Sequence, residues 1–357
     1  MITVVIPTIG RATLRRTLAA VGSAAPVIVV DDRRAGAGEL ELPGHVRVVR
    51  SGGRGPAAAR NAGWRAAGTP WVVFLDDDVV PGPGWAEAVR KDLADLPDDV
   101  AGSQGRIEVP LPAGRRPTDA ERNTAGLSRT SWVTADMAYR RSALERIGGF
   151  DERFPRAYRE DADIVLRVER AGHRLIVGER VTAHPVREDG FWAGVRFQRG
   201  NADDALMRRL HGPRWRRDIG GSGGRLRRHA VTSAAGLAAT SLVLAAPLTR
   251  APATPRPPAS TRLPASARPP ASARLLAMPR TRVLDGGWRE HGGWRVLPVL
   301  AALAEALWAA MTAEFAWRRI APGPRTAREV WRMVVTSLLI PPVACVHRLR
   351  GEWKWRR

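Results

Sequence analysis

Three consecutive carboxylates, Asp76, Asp77 and Asp78, stand at the end of the apolar run Val72-Val73-Phe74-Leu75. Side chains alternate along a strand, so Asp76 and Asp78 share one side and Asp77 takes the other while strand geometry lasts. Two anions held that close repel each other unless a cation intervenes or a proton is retained. Mg2+ is commonly held by one or two carboxylates plus substrate phosphates, and this spacing supplies such a pair. The plainer reading is an acidic turn, because Pro81-Gly82-Pro83-Gly84 follows. A second pair, Asp31 and Asp32, closes the apolar run 27–30. An aspartate there can accept hydrogen bonds from a base N–H or from ribose hydroxyls. Further on, Glu160-Asp161-Ala162-Asp163 opens a helical pattern over 161–171. The positive end of the helix favours an ionised carboxylate, the state a general base needs, although acidic first turns are ordinary in any helix. His184 follows the strand-like stretch 180–183 and is either a metal or diphosphate contact or a solvent-facing histidine before Pro185.

These groups need a frame. Strand-like runs at 3–6, 27–30, 46–49 and 71–75 alternate with helical stretches near 11–21, 56–67 and 85–96. That alternation predicts an α/β domain with a mostly parallel sheet flanked by helices. In such sheets ligands bind outside the carboxyl ends of the strands, which is where the aspartates fall. The loop Gly52-Gly53-Arg54-Gly55-Pro56 leads into Ala57-Ala58-Ala59-Arg60-Asn61-Ala62-Gly63. It matches neither a Walker loop nor G-x-G-x-x-G.

In order, Val5-Ile6-Pro7-Thr8, Val29-Val30-Asp31-Asp32, Ala59-Arg60-Asn61-Ala62-Gly63 and Phe74-Leu75-Asp76-Asp77-Asp78 resemble the family-2 glycosyltransferases with a GT-A (Rossmann-like) fold. The resemblance continues through Thr134-Ala135-Asp136, Gly148-Gly149-Phe150-Asp151 and Arg159-Glu160-Asp161, and so covers residue 2 to about 190. It implies a nucleotide-sugar donor whose base and ribose lie against Thr8 and Asp32, or Asp31 instead. It extends the donor-binding set to Arg60, Asp76, Asp77 and Gly149. Asp76 and Asp78 match the outer members of Asp-X-Asp, and with His184 they are the expected holders of Mg2+ or Mn2+. Asp161 matches the general base of inverting members. The segment 191–207, with Arg196, Arg199 and Asn201, is placed to close over the diphosphate. The Gln-X-X-Arg-Trp motif of processive synthases is absent, which points to addition of one or a few sugars.

Charge divides the chain. Residues 201–357 carry 27 Lys+Arg against 9 Asp+Glu, whereas residues 1–200 carry 30 against 26. A basic appendage of this kind suits a polyanionic neighbour. No base-reading module accompanies it, and its arginines flank apolar runs, so an anionic membrane surface is expected and nucleic acid is not. The reading divides the chain into a catalytic domain at 1–212, a basic Gly-rich hinge at 213–229 and a candidate transmembrane or interfacial helix at 230–248. A Pro/Ala/Arg linker at 249–291 and an apolar helical, membrane-associated region with a basic tail at 292–357 complete it. Within the linker Arg250, Arg256, Arg262, Arg268, Arg274 and Arg280 recur every six residues, which would align them on one face of a polyproline II helix. The single cysteine, Cys345, excludes an internal disulfide. The N-terminus reads as a strand and not as a signal peptide.

The expectation is therefore an inverting glycosyltransferase at the cytoplasmic face of a membrane, with a glycan or lipid-linked, cell-envelope acceptor. A non-catalytic nucleotide-sugar-binding scaffold would lack one carboxylate set, and neither set is missing. A nucleotidyltransferase would place a lysine in the loop after the first strand, and the first lysine is Lys91.

Overall fold

The computed structural model describes residues 1–36, 38–187, 190–221, 223–248 and 293–356. One sheet contains β1 (Ile2–Thr8), β2 (Val27–Asp31), β3 (Val46–Arg50), β4 (Trp71–Leu75), β5 (Val80–Pro81), β6 (Val100–Glu108), β7 (Asp136–Arg140) and β8 (Arg174–Ala183). Its order is β3-β2-β1-β4-β7-β6-β8-β5. The first four strands are parallel neighbours, β7 is antiparallel to both β4 and β6, β6 and β8 are parallel, and the short β5 closes the edge antiparallel to β8. Every residue of β2 and β4 is buried, as expected for strands covered by helices on both faces.

The helices are α1 (Leu14–Val21), α2 (Pro56–Ala66), α3 (Trp85–Leu93), α4 (Asp119–Ala125), α5 (Arg141–Ile147), α6 (Glu160–Arg170), α7 (Ala193–Arg196), α8 (Gly200–His211), α9 (Trp215–Asp218), α10 (Leu226–Leu248), α11 (Gly293–Ile320) and α12 (Ala327–Lys354). Alternation along β1 sends Val4 and Ile6 to a core shared with Leu14, Leu18 and Trp85. It sends Val5 to the other face, with Trp64, Phe74 and Ile164. At Gly63, α2 comes so close to β1 that a Cβ would lie 2.2 Å from Val5 Cγ1. The chain moves outward from β1 through β2 to β3, then returns to place β4 on the opposite side of β1. That reversal opens a crevice at the carboxyl ends of β1 and β4, the usual ligand position in open α/β sheets.

The C-terminal half differs from the sequence-based division. One compact unit comprises residues 1–230 together with 312–357, and a second comprises 231–311. α12 belongs to the first because one face of it is buried there. Met333, Thr336, Ile340, Ala344 and Gly351 are all buried and recur at helical spacing. A Cβ on Gly351 would lie 2.7 Å from the Ala202 Cα, so the helix backbones of α12 and α8 nearly touch. Trp355 then joins the cluster of Phe154, Leu166, Leu206, Met207 and Trp215. The outer face of α12 leaves Trp331, Leu338, Leu339 and Trp353 exposed. The expected hinge at 213–229 is also more structured than its glycines implied. It contains α9, whose Trp215 is buried, and the first turn of α10. In the second unit Thr232 Oγ1 lies 3.8 Å from the Met311 sulfur, so α10 and α11 meet there. Among the described residues two helices are long and apolar enough to cross a bilayer, Val296–Ile320 and Ala327–Lys354. The arginine repeat and the linker at 249–291 lie outside the described residues, and the sequence-predicted span at 230–248 falls within α10, which is not one of those two helices.

Candidate active site

β4 ends at Leu75 and the next residues turn, yet the three aspartates divide as strand alternation predicts. Asp77 faces β1, where it accepts hydrogen bonds from Thr8 Oγ1 and from Arg11 Nη1, each at 2.6 Å. Asp76, Asp78 and His184 gather on the other side, with one ligand atom from each lying within 4.8 Å of the others. β8 delivers His184 because its backbone N–H bonds Glu108 at the end of β6, at 2.7 Å. The His184 ring Nδ1 is 3.2 Å from the Pro185 carbonyl oxygen. A carbonyl only accepts, so in this contact Nδ1 is the donor and Nε2 is the ring atom available to the carboxylate cluster. Asp78 is buried and its Oδ1 has no hydrogen-bond partner. Its Oδ2 accepts from Arg187 Nε. A buried orphan carboxylate oxygen is uncommon and calls for a missing cation or donor. Two carboxylates and an imidazole are a donor set that suits Mg2+ or Mn2+.

Behind this cluster sits a buried ion chain. Arg60, on α2, donates from Nη2 to Asp76 Oδ1 at 2.9 Å and from Nη1 to Glu160 Oε1 at 2.8 Å. Burial opposes the Arg60 charge, and Asp76 and Glu160 more than restore it. Arg60 was expected to contact a donor, but it is 1% exposed and both its ends are committed to protein carboxylates. Its place is to position Asp76 against the first turn of α6. Asp77, in the same expected set, is also 1% exposed and ties β4 to β1.

Asp161 lies in the first turn of α6 and accepts from the Ala162 N–H at 2.7 Å. Helix-end charge was expected to keep its pKa low, and the structure reverses that. Burial pushes Asp161 above the ordinary aspartate range, against the Ala162 N–H, Arg60 and Arg159. Glu160 is pushed up to about 7 by burial and by the neighbouring Asp161, against Arg60. Arg159 precedes them in a left-handed conformation, φ +79°, a costly state for a side-chain-bearing residue. It is held there by Asp204 at 2.8 Å and by stacking on Tyr158 and Trp215.

The expected base and ribose residues are engaged within the protein. Both oxygens of Asp31 accept from the Arg33 guanidinium at 2.8 Å, and Arg33 holds its pKa below the usual range. Asp32 accepts from Ser51 Oγ and from the backbone N–H groups of Arg54 and Gly55, and so shapes the glycine loop. Gly149 has φ +77°, and a Cβ there would lie 2.4 Å from Asn61 Oδ1. Its glycine identity is therefore accounted for by packing on α2. Asn61 is a residue the sequence reading gave no role. Its Oδ1 accepts from Trp64 Nε1 and Phe150 N, and its Nδ2 donates to Phe150 O and Glu152. It locks the segment 149–152 to α2. Arg187 was likewise missed, because nothing in its local sequence points to Asp78. The buried Asp136, bonded by Trp85, Arg180 and Thr182, was quoted only as part of a motif. Its partners are remote in sequence and meet it only on folding.

Comparison with known proteins places this domain. Residues 3–151 match the family model "Glycosyl transferase family 2". Over these residues, which are less than half of the chain, the α/β domain is similar to glycosyltransferase family 2. The pre-mycofactocin glycosyltransferase of Mycobacterium tuberculosis strain H37Rv is 35% identical over 193 residues, which covers 49% of this chain and 40% of the relative. The chain thus spans about two fifths of the length of the curated relatives it matches. Among solved structures, glucosyl-3-phosphoglycerate synthase of M. tuberculosis in complex with Mg2+ and UDP gives a TM-score of 0.41 at 15% identity, over 63% of this chain and 81% of that one. S. aureus TarS 1–349 with UDP-GlcNAc gives 0.39 at 14% identity, over 57% and 65%.

Proposed function

We propose that the chain is an inverting, metal-assisted glycosyltransferase that moves a sugar from a nucleoside diphosphate to an acceptor hydroxyl. One observation carries the reading. At the β1/β4 crevice a cation-competent group with an orphaned carboxylate oxygen is wired through Arg60 to the buried Glu160, beside a second, partly exposed carboxylate, Asp161.

Asp78, Asp76 and His184 would hold Mg2+ or Mn2+, which when bound supplies Lewis acidity for charge on the departing diphosphate. Asp161 accepts the proton of the attacking hydroxyl. Its raised pKa brings it closer to neutral pH, which strengthens it as a base so long as it remains ionised. Thr8, Asp31 and Asp32 border the base and ribose, and the 149–152 segment borders the sugar. Arg187, now on Asp78, lies on the segment next to the cluster and can turn to a phosphate oxygen. The pre-mycofactocin glycosyltransferase, similar over 193 residues, supports glycosyl transfer as the reaction. A lipid-linked or cell-envelope acceptor, reached at the cytoplasmic face of a membrane, fits the exposed apolar face of α12 and the basic C-terminal half.

The test is release of nucleoside diphosphate from a panel of nucleotide sugars, with Mn2+ or Mg2+ and with chelator. Turnover of one donor should require metal and fall by about 100-fold or more in both Asp78→Ala and Asp161→Asn. Asp161→Asn should keep metal-dependent nucleotide binding, and Asp78→Ala should lose it. Wild-type turnover in Asp161→Asn, or no metal-dependent nucleotide binding by the wild-type chain, would sink the proposal.

A further inference from the structure

A second polar cavity, of about 400 Å³, lies within the first compact unit and contains none of Asp76, Asp78 and His184. Ligand sites commonly span about 300–1,000 Å³, so it has room for a polar group of modest size. Five arginines line it: Arg122, Arg225, Arg318, Arg319 and Arg332. Among the described residues of the lining, Asp119 is the one carboxylate. It is shared between Arg122 and Arg319, at 3.3 and 2.8 Å. From outside the lining Glu314 pairs with Arg318 and Glu329 with Arg332. Arg225 has no carboxylate partner among the described residues, and its guanidinium lies 5.5 Å from the Phe315 ring centroid. Counting all three carboxylates against the five arginines leaves at least two positive charges uncompensated. His229, also in the lining, does not reduce that excess. Burial, then Arg225 and Arg319, lower its pKa to about 4, so it is neutral.

Two of these cationic groups, Arg319 and Arg122, are also fixed in place. The Arg319 side chain is 10% exposed, donates to Thr336 Oγ1 at 2.8 Å and Ser337 Oγ at 3.0 Å, and lies over Phe315. Arg122 is held by the Pro117 and Arg319 carbonyls, both at 2.7 Å. Preorganised guanidinium groups bind phosphate oxygens with charge-assisted, often bidentate hydrogen bonds. A phosphate monoester carries about −1.5 to −2 at neutral pH, which matches the uncompensated charge.

The cavity is also close to the chemistry. Phe191, Gly194 and Gln198 line it, and they follow Arg187 on one segment. Phe191 is four Cα–Cα steps along the chain from Arg187, a span of at most about 14 Å. We infer that this arginine cavity binds the phosphate group of the acceptor, so that the acceptor is a phosphate-bearing molecule whose hydroxyl is presented to the metal cluster. The inference rests on the glycosyltransferase reading for the word acceptor. The phosphate site itself does not depend on that reading.

The test is binding to the full-length protein, measured by calorimetry with inorganic phosphate and with the short-chain lipid dihexanoyl phosphatidate. UDP with Mn2+ is titrated in parallel. At least one phosphate probe should bind with a dissociation constant below about 10 mM. Arg225→Ala removes an exposed side chain with no carboxylate partner, so folding should survive. It should weaken phosphate binding about tenfold, the loss of one charge-assisted hydrogen bond, and leave UDP–Mn2+ binding unchanged. Arg225→Lys should restore part of the loss. Phosphatidate binding about tenfold tighter than inorganic phosphate would identify a lipid headgroup, and equal binding a soluble phosphate. No binding of either probe, or binding indifferent to Arg225→Ala, overturns the inference. Phosphate binding without UDP–Mn2+ binding would leave the site standing and remove the glycosyltransferase reading instead.

Discussion

The two oxygens of Asp78 have different surroundings, and the difference is informative. Oδ1 is buried without a partner, while Oδ2 is covered by the Arg187 guanidinium. A metal at Asp78, Asp76 and His184 and the Arg187 cation neutralise the same carboxylate, so they compete. Arg187→Ala should therefore tighten Mn2+ binding to the nucleotide-free protein severalfold, read by titration of free Mn2+ in electron paramagnetic resonance. Weaker binding in the variant would mean that Arg187 helps to hold the metal. Glu160 makes a prediction of the opposite kind, about stability. Its pKa is raised in the fold, so between the ordinary glutamate value of about 4.3 and about 7 the native state holds more proton than the unfolded chain. The contribution is complete below that window and is lost as pH rises through it. The urea midpoint of the metal-free protein should fall from about pH 5 to about pH 7, and fall less in Glu160→Gln, whose amide can still accept from Arg60. An identical slope in the two proteins would place the titration elsewhere.

At the scale of elements, α2 organises the site through its contacts with the rest of the fold. Arg60 reaches α6, Asn61 holds the 149–152 segment and Gly63 lets α2 close on β1. Asn61→Ala removes a side chain that makes four hydrogen bonds and leaves the Phe150 N–H and O buried without it. The cost should be about 3 kcal/mol, or roughly 6–12 °C in melting temperature for a unit of this size. A shift under about 2 °C would show that water or a rearranged loop replaces the amide. The same elements show what was legible beforehand. β1 to β4 are apolar runs ending in polar residues, so they and the crevice they form could be read from the sequence. Asp76 and Asp78 could be read too, because strand alternation is local. The roles of Arg60 and Asn61 could not. Their partners Glu160, Phe150 and Glu152 lie 89–100 residues away along the chain, and only the packing of α2 on the sheet shows that they face inward. The direction of the Asp161 pKa was misread for a related reason. A helix end is visible in sequence, but the burial that outweighs it is not.

At the scale of the whole molecule, the question is what α12 is for. It has the length and apolarity of a membrane span, yet about a third of its most apolar window is buried inside the fold. Its buried positions are not merely apolar. Thr336 and Ser337 bond Arg319, and Gly351 admits the α8 backbone. A helix facing lipid all round needs neither feature, since lipid offers no partner for a hydroxyl and no neighbouring backbone for a glycine to admit. α12 is a docked helix with an exposed outer face of Trp331, Leu338, Leu339 and Trp353, the face that the proposed membrane association would use. Gly351→Leu separates the two ideas. In a docked helix the new side chain meets Ala202 at contact-breaking distance, and overpacking of this kind costs about 1–3 kcal/mol. The melting temperature should fall by several degrees while Mn2+ affinity holds, because Asp76, Asp78 and His184 lie outside α12. In a spanning helix the same change adds apolar surface toward lipid and should leave the melting temperature unchanged or higher. Co-sedimentation with anionic vesicles completes the comparison. A docked, surface-lying α12 predicts that binding is weakened by Trp331→Glu and Trp353→Glu, reverses in high salt and survives Gly351→Leu, whereas an inserted helix predicts binding that high salt cannot reverse.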